Sequence, residues 1–256
     1  MALEKALRPY RPAGRPLALL FSGGLDSALL AWELRTRPDF ELVTVGLPGA
    51  PDLAAAGAAA RAMGLPWKGR EVSPEDVRRS LRHLAEELAA VPGPLRSVFV
   101  ALDLAIASAR DGSTLLCGQG ADELFLGYAH FRGLSADEAG ARAEADLARL
   151  RHEDWPRTER IARARGHEIA APYLTPEFVR AAQRIPVTAR LPGETSKDVL
   201  REFAVARGLP VEIARRPKRA VQYGSGVERA LRQNGFAPRE NPRPARSVPG
   251  PGPRIK

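Results

Sequence analysis

The sequence predicts an α/β fold, a doubly wound parallel sheet followed by a mainly helical C-terminal part. Three observations carry this: apolar runs of strand length, helical patterns between them, and glycine-rich turns where runs give way to helices. The first run, Leu17-Ala18-Leu19-Leu20-Phe21, follows Pro16 and closes on Ser22-Gly23-Gly24, which suits a buried parallel strand. From Asp26 the pattern Ser27-Ala28-Leu29-Leu30-Ala31-Trp32-Glu33-Leu34 reads as a helix. A second strand runs from Glu41 to Val45 and ends at Gly46. Asp52 is placed to cap an alanine-rich helix that reaches about Met63, with Gly64 after it.

Ser73-Pro74-Glu75-Asp76 supplies an N-cap, a proline at the first helical position and early acids, so another helix begins there. Pro92-Gly93-Pro94 breaks the chain before a helical stretch of about Ser97 to Arg110, and a third strand spans Ser113 to Cys117. Beyond Tyr128 the strand signals fade. Ser135-Ala136-Asp137-Glu138 opens a helix with a capping box, and the remainder to about Gln233 reads as mainly helical, without an internal repeat. In a doubly wound sheet the ligand lies beyond the carboxyl ends of the strands. The loops after Phe21, Val45 and Cys117 are therefore the ones that carry chemistry.

Composition narrows the classes. No run of eighteen apolar residues exists and Met1-Ala2-Leu3-Glu4-Lys5 lacks a signal-peptide core, so a soluble, cytoplasmic protein without membrane contact is expected. One cysteine, Cys117, excludes an internal disulfide framework and any Cys-rich zinc site. The net charge is +9, but the Pro- and Arg-rich segment 237–256 contributes +4 of it. That segment reads as a flexible, solvated basic tail. The rest of the chain is a weak basis for a nucleic-acid partner, and a phosphate-polymer contact of the tail is the alternative. Only five of 39 basic residues are lysines, Lys5, Lys68, Lys197, Lys218 and Lys256, so an internal lysine stands out.

Ser22-Gly23-Gly24-Leu25-Asp26-Ser27 sits between the first strand and its helix. Two glycines let backbone N–H groups approach an anion, and the helix N-terminus adds partial positive charge. Ser22 and Ser27 can donate to phosphate oxygens, and Asp26 can hold magnesium. The segment lacks the Gly-Lys-Ser/Thr ending of a Walker loop and the three-glycine spacing of a dinucleotide site. After the third strand comes Cys117-Gly118-Gln119-Gly120-Ala121-Asp122-Glu123-Leu124-Phe125-Leu126-Gly127-Tyr128. Asp122 lies at a C-terminal loop of the same sheet as Asp26, so the two carboxylates could share one Mg²⁺. A capped helix start would explain the acids but not the three glycines.

The first loop resembles the pyrophosphate-binding loop of the N-type ATP pyrophosphatases, and the second resembles a signature of the asparagine synthetases and of the β-lactam and carbapenam synthetases. Three further stretches extend the resemblance: Val45 to Leu53, Arg157 through Gly166-His167-Glu168 to Pro172-Tyr173-Leu174, and Lys197-Asp198-Val199-Leu200-Arg201 followed by Leu209-Pro210 and Arg216-Pro217-Lys218. The motifs are collinear over roughly residues 14 to 230. The resemblance implies a Rossmann-like fold of the adenine nucleotide α-hydrolase type in residues 1–236, with a nucleotide-binding core at 14–128 and a helical part at 129–236. It implies ATP and Mg²⁺ as cofactors, a carboxylic acid such as aspartate as substrate, and an amide-forming ligase activity through an adenylate.

Residue by residue, it implies that Leu20, Val45, Cys117 and Gly118 line the nucleoside. Ser22, Gly23, Gly24, Asp26 and Ser27 hold pyrophosphate and metal, with Asp122 the second metal ligand. Lys218 matches the lysine at the activated carboxyl, although a solvated residue in the basic run Arg215 to Arg219 remains the alternative. For Lys197 a phosphate contact and a surface role both stay open. The chain departs from the pattern at three places. Asparagine synthetases usually carry glutamate at the position of Gln119, arginine at that of Ala170 and aspartate at that of Thr175. An amide at 119 cannot act as a base. With Ala2 after Met1 and no room for a glutaminase domain, nitrogen is expected as ammonia, from a separate glutaminase, or from another amine. A nucleotide-binding paralogue without turnover and a tRNA-modifying adenylating enzyme are the other readings.

Overall fold

The computed structural model describes residues 2–216 and 224–233. Five parallel strands form one sheet: β1 (Leu17–Leu20), β2 (Phe40–Gly46), β3 (Trp67–Glu71), β4 (Thr114–Leu116) and β5 (Glu168–Ala170), in the order β3-β2-β1-β4-β5. The connections carry helices α2 (Leu25–Glu33), α3 (Pro51–Met63), α4 (Pro74–His83), α5 (Ala85–Leu88), α6 (Gly93–Ile106), α7 (Ala121–Leu124), α8 (Ala136–Arg149) and α9 (Trp155–Ala164). Ahead of β1 lies α1 (Ala2–Leu7), and after β5 come α10 (Pro176–Gln183), α11 (Val187–Arg190), α12 (Asp198–Ala206) and α13 (Val211–Ala214). A further helix spans Val227–Gln233.

The apolar runs become central strands because both of their faces are covered. In β1, Leu17 and Leu19 face a core built with α1, α2, α3, α10, α12 and α13. Ala18 and the half-buried Leu20 face a second core built with α4, α6, α9 and Val227–Gln233. The same period-two division places Leu42 in the first core and Val43 and Val45 in the second. Each fully buried leucine contributes about 1.5–3 kcal/mol, so helices on both faces follow from the sequence of the strands. The expected doubly wound fold is the one found.

Two strands were not expected from the sequence. β3 contains Lys68-Gly69-Arg70-Glu71, all exposed, and β5 is three residues long within the part read as helical. Both are edge strands. Short length and charge protect an edge against further pairing, and those same features erase the apolar signal.

Helix boundaries also differ in places. Asp52 is not the cap of α3: Ala50 is, Pro51 takes the first turn, and Asp52 lies buried inside that turn. The helix expected from Ser97 to Arg110 is α6, which starts at Gly93 with a proline in its first turn and ends at Ile106. Proline is tolerated there because the first-turn N–H groups have no intrahelical acceptor. The capping boxes at Ser73–Asp76 and Ser135–Glu138 form as expected, as does the left-handed Gly64 after α3. A π-helical turn, Leu150–Asp154, joins α8 to α9. Lys218 and the segment 237–256 lie outside the described residues.

Candidate functional site

The strand order reverses direction between β1 and β4, and that gap is where a parallel sheet opens a crevice at its carboxyl end. The loops after these two strands meet there. A Cβ on Gly118 would stand 3.2 Å from the Cβ of Asp26, so the absence of a side chain lets them touch. Gly23 has φ +68, and a Cβ there would lie 2.8 Å from the Ala56 Cα of α3. Both conformation and space demand glycine at 23.

Within the first loop the serines organise the turn. Ser22 Oγ accepts from Gly24 N–H at 3.3 Å and lies 3.2 Å from Ser27 Oγ, while Ser27 Oγ donates to the Gly24 carbonyl at 3.2 Å. Gly24 is the N-cap of α2 and supplies no side-chain cap, so it leaves the first-turn N–H groups of the helix without a side-chain acceptor from the cap. Asp26 stands in that turn, and the Tyr173 hydroxyl donates to its backbone carbonyl at 2.8 Å.

The second loop turns at Gly120, φ +97, into α7, whose first turn carries Asp122. Among the described residues, Asp26 and Asp122 converge on the ammonium of Lys197. Lys197 Nζ lies 2.7 and 2.6 Å from the two carboxylate oxygens of Asp26 and 2.7 Å from Asp122 Oδ1. The lysine is only 3% exposed, which removes the surface role. Burial alone would lower its pKa, but the charges of Asp122 and Asp26 and their hydrogen bonds outweigh burial and raise it above the usual lysine value. Lys197 is the N-cap of α12 at φ +62, a left-handed conformation that a residue with a side chain adopts at a cost.

Gly127 makes this arrangement sterically possible. A Cβ at 127 would overlap Asp122 Oδ1 and Lys197 Cε, while the Gly127 N–H donates to the Asp122 carbonyl at 2.8 Å. Next to Asp122, Glu123 is buried and its carboxyl is pushed up to about 7, by burial first and the Asp122 charge second. The Tyr128 hydroxyl donates to Glu123 Oε1 at 2.6 Å, and burial raises the phenol above its ordinary value.

The other sequence-derived residues fall around this centre. Leu20 and Val45 stand at the ends of β1 and β2, and Cys117 directly follows β4. Burial pushes the Cys117 thiol up to about 12, so it has no nucleophilic character. Gln119 is turned towards α9, its Nε2 donating to Thr158 Oγ1 at 3.4 Å. Lys218 is outside the described residues. Arg216 Nη1 donates to the Gly23 carbonyl at 2.9 Å, and the Leu47 N–H donates to the Ser225 carbonyl at 2.9 Å. Arg216 and Ser225 themselves therefore sit at the loops after β1 and β2. Arg216, Gly127 and Tyr173 stand in the sequence only as parts of longer motifs. Their roles depend on contacts across more than four residues, which spacing does not display.

Two carboxylates that one cation can contact together suit Mg²⁺, which takes one or two protein carboxylates and fills its shell with phosphate oxygens and water. Among the described residues, no group of three or more His, Cys, Asp or Glu could hold a metal, so no all-protein cage competes with that pair. No helix among them is long and apolar enough to cross a membrane.

The asparagine synthase family model matches residues 1–143 and 134–237. The glutamine-hydrolysing asparagine synthetase of Gallus gallus is 29% identical over 234 residues, covering 86% of this chain and 42% of that protein. The glutamine-hydrolysing asparagine synthetase B of Escherichia coli K12 is 28% identical over 253 residues, covering 88% of this chain and 44% of that one. This chain therefore spans less than half the length of these relatives. A solved structure described as a predicted subunit of tRNA methyltransferase from Methanocaldococcus jannaschii overlaps with a TM-score of 0.37 at 19% identity, covering 77% of this chain and 91% of that one. That overlap has no bearing on function.

Proposed function

Because this chain belongs to the asparagine synthase family, we propose that it is an ATP-dependent, AMP-forming ligase that adenylates a carboxylic acid and passes the acyl group to an amine. The observation that carries the reading is the convergence of Asp26 and Asp122 on the Lys197 ammonium at the switch point of the sheet. In this reading a carboxylate oxygen of the acid attacks the α-phosphorus of ATP and pyrophosphate leaves. The amine then attacks the acyl carbon and AMP leaves.

The chain's residues divide the work. Ser22, Gly23, Gly24 and Ser27 hold the pyrophosphate portion through N–H and hydroxyl donors. Asp26 and Asp122 hold Mg²⁺, which when bound neutralises phosphate charge. Leu20, Val45, Cys117 and Gly118, at the carboxyl ends of β1, β2 and β4, line the nucleoside. Lys218, by its match to the family motif, brings a localised charge to the activated carboxyl. Gln119, held by Thr158, orients groups rather than moving protons, because an amide is not a base. Within the described residues, β5 of the second part pairs with β4 of the first, which supports reading the two parts as one unit.

Aspartate is one candidate acid, and ammonia, another amine or the product of a separate glutaminase subunit is the nitrogen source. The test is ATP–pyrophosphate exchange with purified protein against a panel of carboxylic acids that includes aspartate. Exchange dependent on one acid and on Mg²⁺ supports the ligase; a chain that binds ATP yet exchanges with no acid is a nucleotide-binding paralogue instead.

A further inference from the structure

We propose that Lys197 is a built-in counter-cation that occupies the place of the divalent metal between Asp26 and Asp122, so that metal enters only when the lysine leaves. The inference rests on the reading of these carboxylates as metal ligands. Its basis is geometric: the ammonium contacts both carboxylates at 2.6–2.7 Å, in a space that Gly127 keeps open for the lysine stem. A magnesium ion bound to both carboxylates at about 2.0–2.1 Å would lie next to that ammonium, with no water between two like charges.

Neither cation can simply be added to the other. A lysine this buried needs another anion when its ammonium leaves the carboxylates, because an unpaired buried charge is costly. The phosphates of an arriving nucleotide are such an anion. Metal and nucleotide then enter as one event: the phosphates draw the ammonium off the carboxylates, and the carboxylates take the metal. The stem is suited to this, since lysine has a flexible four-carbon chain and the residues just before it, Gly193 to Thr195, are exposed. The geometry also gives the left-handed backbone at Lys197 a purpose, because it aims the stem into the slot at Gly127 rather than out to solvent.

The experiment measures Mn²⁺ binding by electron paramagnetic resonance, with and without a non-hydrolysable ATP analogue, on wild type and Lys197→Met. Wild type is expected to bind Mn²⁺ at least tenfold more tightly with the analogue than without it. Lys197→Met is expected to bind Mn²⁺ without any nucleotide, at least tenfold more tightly than wild type does, and Asp26→Asn in that background should abolish the gain. No gain in a folded Lys197→Met protein overturns the inference, while a wild type that still binds analogue and Mn²⁺ together keeps the nucleotide site. If neither protein binds the analogue but Lys197→Met gains Mn²⁺, the counter-cation stands and the nucleotide reading falls. Should Lys197→Met fail to fold, wild type decides, because equal Mn²⁺ affinity with and without the analogue overturns the inference.

Discussion

Replacing Gly127 by alanine adds one methyl group where Asp122 Oδ1 and Lys197 Cε already lie. The obstructing atoms are ends of flexible side chains, and Gly127 is not at positive φ, so the backbone can stay and the ion pair must give way. Breaking a fully buried pair costs about 3–5 kcal/mol. The Asp26 and Asp122 side chains are 22% and 21% exposed, which lets water replace part of the lost contact. The expected cost of Gly127→Ala is therefore about 2 kcal/mol, or roughly 4–8 °C in melting temperature for a domain of this size. Urea denaturation and calorimetry measure it, and a double-mutant cycle assigns it. In a Lys197→Ala background, where the bridge is already gone, Gly127→Ala should cost little further. Wild-type stability in Gly127→Ala, or the same cost in both backgrounds, would refute the claim that this glycine exists to seat the lysine.

Other consequences are testable in parallel. Asp26→Asn and Asp122→Asn should each abolish Mg²⁺-dependent ATP turnover while circular dichroism stays that of a folded protein; full activity in either removes it from the metal site. Lys218→Ala should leave ATP affinity nearly unchanged and slow pyrophosphate release by roughly a hundredfold, with little rescue by Lys218→Arg, as read by pre-steady-state quench. Asp76 is held down at about 2 by hydrogen bonds from the Ser73 backbone, the Ser73 hydroxyl and Arg79. A carboxylate with a depressed folded pKa stabilises the fold above its unfolded pKa, so this contribution should fade as pH falls from about 4 to about 2. Asp76→Ala should remove that dependence and cost about 1 kcal/mol at neutral pH, measured by denaturant titration across the pH range.

How much of this was legible in the sequence depended on the range of the interactions. Central strands β1, β2 and β4 announce themselves because both faces are buried and every residue of Leu17-Ala18-Leu19-Leu20 had to be apolar. Capping at Ser73 and Ser135 is written within four residues, so it was visible too. The edges were not. Lys68, Arg70 and Glu71 belong to β3 only because β2 offers them hydrogen bonds, and nothing local records that. In the site, Asp26 and Asp122 could be paired because both follow strands of one sheet. The place of Lys197 could not be read, since it depends on a contact 171 residues away from Asp26 and on a missing side chain at Gly127. Gln119 was legible as a departure from the family, but its turn towards Thr158 depends on α9 packing beside β5.

The central claim is that the crevice between β1 and β4 directs cleavage of ATP between its α and β phosphates. Phosphorus NMR of the products, with Mg²⁺, ammonium and the acid selected by pyrophosphate exchange, tests it most directly. AMP and pyrophosphate should form in equal amounts with the amide, and none of them with Asp122→Asn. ADP and inorganic phosphate as the products would contradict it.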